Sequence, residues 1–246
     1  MSDATLGPTI LVDRYDADRV RPHHYRDVPI YAYEDVHLMA AEVARGQFAP
    51  GGKVMDLGAG AGALSLRLAD AGFAVTALDY VSNNFRLHGQ VPFVSADLNG
   101  EFAKSVEHES FDAVVAVEIV EHLENPRNLI RQASQALKPG GYLFVTTPNT
   151  DSCFSLLSQL RYGHPDLFHE ECYQSDGHIT PVSAWLLRHA VAEVGMETVF
   201  CRSFGAHAPQ WWKYRAAMWL LRWFAGDKKF AAGSTVGLLA RKSRAA

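Results

Sequence analysis

The chain has 246 residues, 48% of them hydrophobic, with 23 basic side chains against 27 acidic ones and a formal charge of −4. That apolar content supports one buried core and excludes a disordered chain, while the acidic balance excludes a protein that coats nucleic acid. Cys153, Cys172 and Cys201 form no C-x-x-C pair, which excludes a zinc ribbon and fits a reducing compartment.

The length suits one large domain. Residues 1–50 are mixed in character and end in a predicted helix over 33–45, which is expected to cap a site built by the residues after it. His23, His24 and the nearby tyrosines read as packing or surface residues. Residues 1–4 lack the basic-then-apolar start of a signal peptide, and no stretch is apolar enough to span a bilayer, so the expectation is a cytoplasmic protein. Residues 54–62 read V-M-D-L-G-A-G-A-G, a short apolar strand ending in Asp56 and then the glycines Gly58, Gly60 and Gly62. Alternating glycines let a backbone turn tightly and present its amides closely. Residues 63–71 have helical spacing, so the unit is strand, glycine loop, helix, with the helix amino end facing a nucleotide-like cofactor.

Further strands are predicted over 74–80, 92–98, 112–118 and 142–147, with Asp79 and Asp97 falling at strand ends. A helix is predicted over 125–137, and Lys138-Pro-Gly-Gly141 reads as a stop-and-turn. Near-continuous apolar strands alternating with helices indicate a parallel sheet covered on both faces. Residues 149–180 are polar and too long for an ordinary connection, which marks active-site cover. A helix over 182–194 and strands over 196–204 and 235–241 come next, with a second insert at 205–232. No internal repeat interrupts the pattern.

The glycine loop alone leaves the cofactor open. Gly58-x-Gly60-x-x-Ala63 with Asp79 downstream satisfies the dinucleotide pattern as well. In the form D-x-G-x-G-x-G it resembles motif I of the class I S-adenosylmethionine (SAM) methyltransferases, and the likeness covers roughly residues 33–242. The resemblance implies an α/β, Rossmann-like, seven-stranded, mostly parallel sheet with helices on both faces. It implies SAM as cofactor, with Gly58, Gly60 and the loop amides on the methionine part, Asp79 on the ribose hydroxyls, and Asp97 with the Leu98 amide on the adenine. Asp56, Gly62, Tyr80 and Glu118 complete the implied cofactor set. Residue by residue, an N-cap role for Asp79 and a turn role for Asp97 are the alternatives.

A second constellation is Glu118-Ile-Val-Glu121-His122. If a helix starts near Glu118, then Glu118, Glu121 and His122 share one face at i, i+3 and i+4, a donor set that suits Mg²⁺ or another divalent cation. A solvated first helical turn is the alternative. E-x-x-E-H resembles the ubiquinone-pathway O-methyltransferases and, more distantly, the magnesium-using small-RNA 2′-O-methyltransferases. The second likeness implies a further ligand, His178 in Ser175-Asp-Gly-His178, with His169 as competitor. These resemblances imply O-methylation of a hydroxyl on a small or lipid-linked acceptor, assisted by a cation or by His122 or His178 as general base. An NAD(P)-linked oxidoreductase, which leaves Asp97 and E-x-x-E-H without a purpose, and a non-catalytic SAM-binding protein are the competing classes. RNA is disfavoured as substrate by the acidic charge.

Finally, residues 210–230 interleave Trp211, Trp212, Tyr214, Trp219, Trp223 and Phe224 with Lys213, Arg215, Arg222, Lys228 and Lys229. Trp212, Ala216, Trp219, Leu220 and Trp223 fall on one helical face, which reads as a peripheral membrane helix or as a lid or dimer helix. Oligomeric state is left open.

Overall fold

The computed structural model describes residues 23–205, 216, 219, 220, 223 and 233–244. A hairpin of β1 (His24–Tyr25) and β2 (Val28–Pro29) leads into α1 (Glu34–Gln47). Then come β3 (Lys53–Leu57), α2 (Ala63–Asp70), β4 (Ala74–Asp79), β5 (Phe93–Ser95) and β6 (Phe111–Ala116). Next are α3 (Pro126–Ala136), β7 (Leu137–Pro148), α4 (Cys153–Tyr162) and α5 (Glu170–Ser175). α6 (Ala184–Glu193), β8 (Met196–Phe204) and β9 (Thr235–Lys242) complete the described elements.

Seven strands form one mostly parallel sheet, as the resemblance implied, and their order is β5-β4-β3-β6-β7-β9-β8. β3 to β7 run parallel, and β9 is antiparallel to both β7 and β8. The period of two along a strand sends alternate side chains to opposite faces. On β6, Val114 and Ala116 join a core with α3 and α6, whereas Ala113 and Val115 join a second core with α1 and α2. Burial on both faces is why these strands read as unbroken apolar runs. Each fully buried Leu or Val adds roughly 2 kcal/mol.

Local chemistry sets the ends of the elements. The Asn125 side chain accepts from Asn128 N and Pro126 occupies the first turn, so α3 starts at Pro126. Ser152 and Ser183 cap α4 and α6 in the same way. The Lys138-Pro-Gly-Gly141 signal makes a bulge rather than a break. The ladder pairs Phe111 with Leu137 and resumes at Ala113 and Tyr142, with Gly140 at φ 81° absorbing the extra length. β5 is shorter than its predicted span, because Asp97 Oδ1 accepts from Asn99 N at 2.8 Å and turns the chain just beyond Ser95.

The insert at 149–180 contains α4 and α5. In the second insert Ala216, Trp219, Leu220 and Trp223 are helical and exposed, Trp219 at 63% and Trp223 at 78%. The predicted stripe therefore faces outward at these positions, and packing on the core does not account for it. Trp212 and the rest of residues 210–230 lie outside the described residues. Among the described residues, no helix is long and apolar enough to cross a membrane.

Candidate active site

The carboxyl ends of the parallel strands deliver the sequence motifs to one edge. The glycine loop leaves β3, Asp79 ends β4, Asp97 comes just after β5, and Glu118 just after β6. The connection between β8 and β9 opens at the same edge, since Phe204 and Thr235 pair with each other and Thr235 with Pro148. β3 and β6 are neighbours whose outgoing connections diverge, which is the switch point where ligands bind in open α/β sheets. A cavity of about 520 Å³ lined by Lys53, Phe73, Val91 and Phe111 lies at the opposite, amino edge and contains no motif residue.

Gly58, Gly60 and Gly62 have φ of 74°, 53° and 97°, the left-handed region that glycine adopts without strain. The sequence suggests ligand contact as the reason for them. The structure adds the chain's own side chains. A Cβ on Gly58 would meet Ile119 Cγ1 at 2.5 Å, one on Gly60 the Tyr31 ring at 2.9 Å, and one on Gly62 Phe85 and Leu87 at 2.8 and 2.9 Å. Asp79 Oδ2 accepts from Gly60 N at 2.8 Å and its Oδ1 from Val81 N at 3.0 Å. Asp79 thus braces the loop, with acceptor capacity left on both oxygens for a diol. Asp56 departs from the expected cofactor contact. It is 2% exposed, and its Oδ2 accepts from Ser65 Oγ at 2.6 Å, tying β3 to α2. Burial raises its pKa to about 7, partly offset by Ser65. Tyr80 is 41% exposed at the edge, and Leu98 is buried.

E-x-x-E-H does not start a helix at Glu118. Glu118 has φ 48°, its amide donates to Thr146 Oγ1 at 3.0 Å, and only one 3₁₀ turn comes after it, Val120–His122. With Glu118 in the left-handed region and a single 3₁₀ turn in place of an α-helix, the expected common helical face of Glu118, Glu121 and His122 is not formed. The donor atoms that converge belong to Glu121, His122 and His178, all within 4.8 Å of one another. The insert delivers His178. Ile179 N and Thr180 N donate to Glu121 O at 3.1 and 3.0 Å, and Thr180 Oγ1 donates to Leu123 O at 2.6 Å. His169, the competitor, caps α5 and contacts Cys172 Sγ at 3.4 Å.

The two imidazoles are anchored alike, each through Nδ1, with their planes 69° apart. His122 Nδ1 lies 3.1 Å from Gly177 O and His178 Nδ1 lies 2.7 Å from Leu167 O. A carbonyl only accepts, so each Nδ1 carries the proton and each Nε2 keeps its lone pair. The rings are 5.0 Å apart. Burial, then the neighbouring His178, lowers His122 to about 4, and burial also lowers His178, so both are neutral at pH 7. Glu121 is fully buried, and neither carboxylate oxygen has a hydrogen-bond partner. Burial and then the Glu118 charge push its pKa well above the usual carboxylate range, opposed by the nearby Thr147 hydroxyl, which stands too poorly placed for a hydrogen bond. Glu118 is raised to about 7 by burial, with Asp35 adding to the shift and Thr146 opposing it.

Two neutral imidazoles with Nδ1 tied to carbonyls, beside a buried carboxylate, are a donor set able to hold a divalent cation. Ile119, which packs the acidic turn onto the glycine loop, and Tyr31 belong to no sequence motif. The Gly177–His178 step and the Thr146–Thr147 pair, polar ends to apolar or insert segments, were the available signals for the supporting layer.

A glycine loop at the switch point of a sheet in this strand order defines the class I methyltransferase fold. Comparison with known proteins agrees: a family model described as "Methyltransferase domain" matches residues 24–199. The chain belongs to that family. The ubiquinone biosynthesis O-methyltransferase of Xanthomonas campestris pv. campestris (strain B100) is 38% identical over 137 residues, 52% of this chain and 56% of that protein. Its counterpart in Xanthomonas oryzae pv. oryzae (strain PXO99A) is 39% identical over 113 residues, 43% of this chain and 47% of that protein. The chain thus spans about half the length of the curated relatives it matches. Among solved structures, a SAM-dependent methyltransferase from Archaeoglobus fulgidus matches with TM-score 0.61 at 19% identity, covering 84% of this chain and 94% of that one. Phosphoethanolamine N-methyltransferase 2 of Haemonchus contortus, in complex with SAM, matches with TM-score 0.58 at 16% identity, covering 86% and 53%. At these identities the likeness is one of fold.

Proposed function

We propose that this chain transfers a methyl group from SAM to a hydroxyl oxygen of a small or lipid-linked acceptor, with a divalent cation held by Glu121, His122 and His178. The observation that carries the reading is that three-residue cluster at the loop edge, packed through Ile119 against Gly58. The O-methyltransferase names of the curated relatives favour a hydroxyl acceptor. In this reading the loop amides, Asp79 and the Asp97–Leu98 turn hold the donor. The acceptor oxygen attacks the methyl carbon in line, the carbon–sulfur bond breaks, and S-adenosylhomocysteine leaves. Neutral His122 and His178 present Nε2 lone pairs, and Glu121 would supply the negative charge once a cation displaces the proton that burial makes it hold. When bound, the cation supplies Lewis acidity that makes an acceptor hydroxyl easier to deprotonate. The mixed oxygen and nitrogen set favours Mn²⁺ or Zn²⁺ at least as much as Mg²⁺ in vitro.

Calorimetry should show S-adenosylhomocysteine binding and no NADH binding. A mass-shift screen with labelled donor against catechols and hydroxylated quinone precursors should then find acceptor turnover that EDTA removes and Mg²⁺ or Mn²⁺ restores. Absence of S-adenosylhomocysteine binding sinks the donor; full turnover after chelation removes the cation and gives His122 and His178 the role of general base.

We infer further that residues 210–230 of a cytoplasmic protein touch a membrane surface where a lipid-linked acceptor resides. In support, Trp219, Leu220 and Trp223 are exposed on a helix. The surrounding sequence carries Lys213, Arg215, Arg222, Lys228 and Lys229 against the single acid Asp227. Like charge on two copies disfavours self-pairing through this face. Sedimentation with anionic vesicles tests it: binding that Trp219→Ala with Trp223→Ala abolishes is expected, and no binding ends the membrane reading.

A further inference from the structure

Residues 23–33 form a strap ahead of α1, tied to α2, the helix that leaves the glycine loop. The Tyr25 hydroxyl donates to Asp70 at 2.8 Å, and Arg26 pairs with the same carboxylate at 2.8 Å. The Arg67 guanidinium stands 4.0 Å from the centre of the Tyr25 ring, close enough for a cation–π contact. Beyond the hairpin, Ile30 is 1% exposed and its amide donates to His23 O at 2.8 Å, which anchors the strap in the core. The next residue is Tyr31. Its ring lies so close to the loop that a Cβ on Gly60 would come within 2.9 Å of it. The Gly60 amide meanwhile donates to Asp79. Gly60 is therefore held by Asp79 at its nitrogen and covered by Tyr31 at its Cα. A ligand gripped by the loop and Asp79 has the half-buried Tyr31 ring as its neighbour.

We propose that Tyr31 is a donor-positioning residue: the strap holds its ring against Gly60 as a wall of the SAM site, so that the ring slows release of S-adenosylhomocysteine. The cap expected from α1 is thus supplied by the residue two places before that helix's N-cap Tyr33. The ties that hold the strap, Tyr25–Asp70 and Arg26–Asp70, are polar and lie on partly exposed side chains, so they open more easily than the core.

The inference rests on the donor reading above, and the experiment separates the two. Tyr31→Ala weakens S-adenosylhomocysteine binding by about tenfold and speeds its release, while Tyr31→Phe keeps affinity within about threefold, because the ring rather than the hydroxyl makes the contact. KM for SAM rises in Tyr31→Ala with kcat at saturating donor retained, a split that loss of folded protein does not produce. Tyr25→Phe, which deletes only the hydrogen bond to Asp70, should speed release in the same direction, and it decides the matter if Tyr31→Ala fails to fold. Unchanged affinity and release in a folded Tyr31→Ala overturns the wall, as does unchanged release in Tyr25→Phe where Tyr31→Ala does not fold. A parent protein that binds no S-adenosylhomocysteine overturns the donor reading itself.

Discussion

Glu121→Gln lowers acceptor turnover by roughly 10²–10³-fold and, in the chelated protein at pH 8, raises the melting temperature by about 3–8 °C. Both effects come from one fact: Glu121 is buried with neither oxygen hydrogen-bonded. Ionising a carboxyl in that state costs free energy, because burial disfavours the charged form, and a neutral amide never incurs that cost. A neutral amide of the same shape removes the charge, and with it the grip on a cation. The raised pKa sets the sign with pH. Below the unfolded value near 4.5 both states hold the proton, and the carboxyl contributes no pH-dependent penalty. As pH rises past that value the folded protein still holds a proton that the unfolded chain has released. Stability therefore declines until pH passes the folded pKa. The gap between Gln and Glu should thus be smallest below about pH 4.5 and widen as pH rises toward 8. Adding Mn²⁺ should stabilise the parent and leave Glu121→Gln unmoved; equal melting curves for both proteins in chelator and in Mn²⁺ would refute the role given to Glu121.

Much of the fold could be read from the chain because its signals are local. The alternation of apolar strands with helical spacing returned β3, β4, β6, β8 and β9 to within a residue or two, and the helical spacing over 125–137 returned α3. The insert at 149–180 was marked by its polarity. The register of Glu118 was not readable. Glu118 precedes four residues of good helical spacing, and only the tertiary bond from its amide to Thr146 on β7 pulls it into the left-handed region. Long-range contacts of that kind leave no periodic trace in sequence. His178 reached the site for a similar reason: its neighbours Ile179 and Thr180 bond to Glu121 O across nearly sixty residues, which no spacing rule encodes. The resemblance, rather than the pattern, put it forward over His169.

The glycine loop shows the same division between local and distant causes, and it gives the second large prediction. Gly58→Ala should destabilise the protein by about 2–5 kcal/mol, the sum of a left-handed backbone and an overpacked contact. Its φ is 74°, and the new methyl would sit 2.5, 2.7 and 2.9 Å from Ile119 Cγ1, Cδ1 and Cβ. A flexible tip could swing aside, but Cβ is fixed to the backbone, so residues 118–119 must shift. That shift moves the turn carrying Glu121 and His122, and acceptor turnover should fall further than the lost stability alone explains. Ile119→Ala in the Gly58→Ala background removes the two nearest atoms. It should restore about 1–2 kcal/mol, a coupling that independent sites would not show. The left-handed strain and the Cβ contact remain, so recovery is partial. Strict additivity of the two substitutions in chemical denaturation would mean that Gly58 answers to the bound donor alone, and that the donor loop and the acidic turn are not mechanically joined through Ile119.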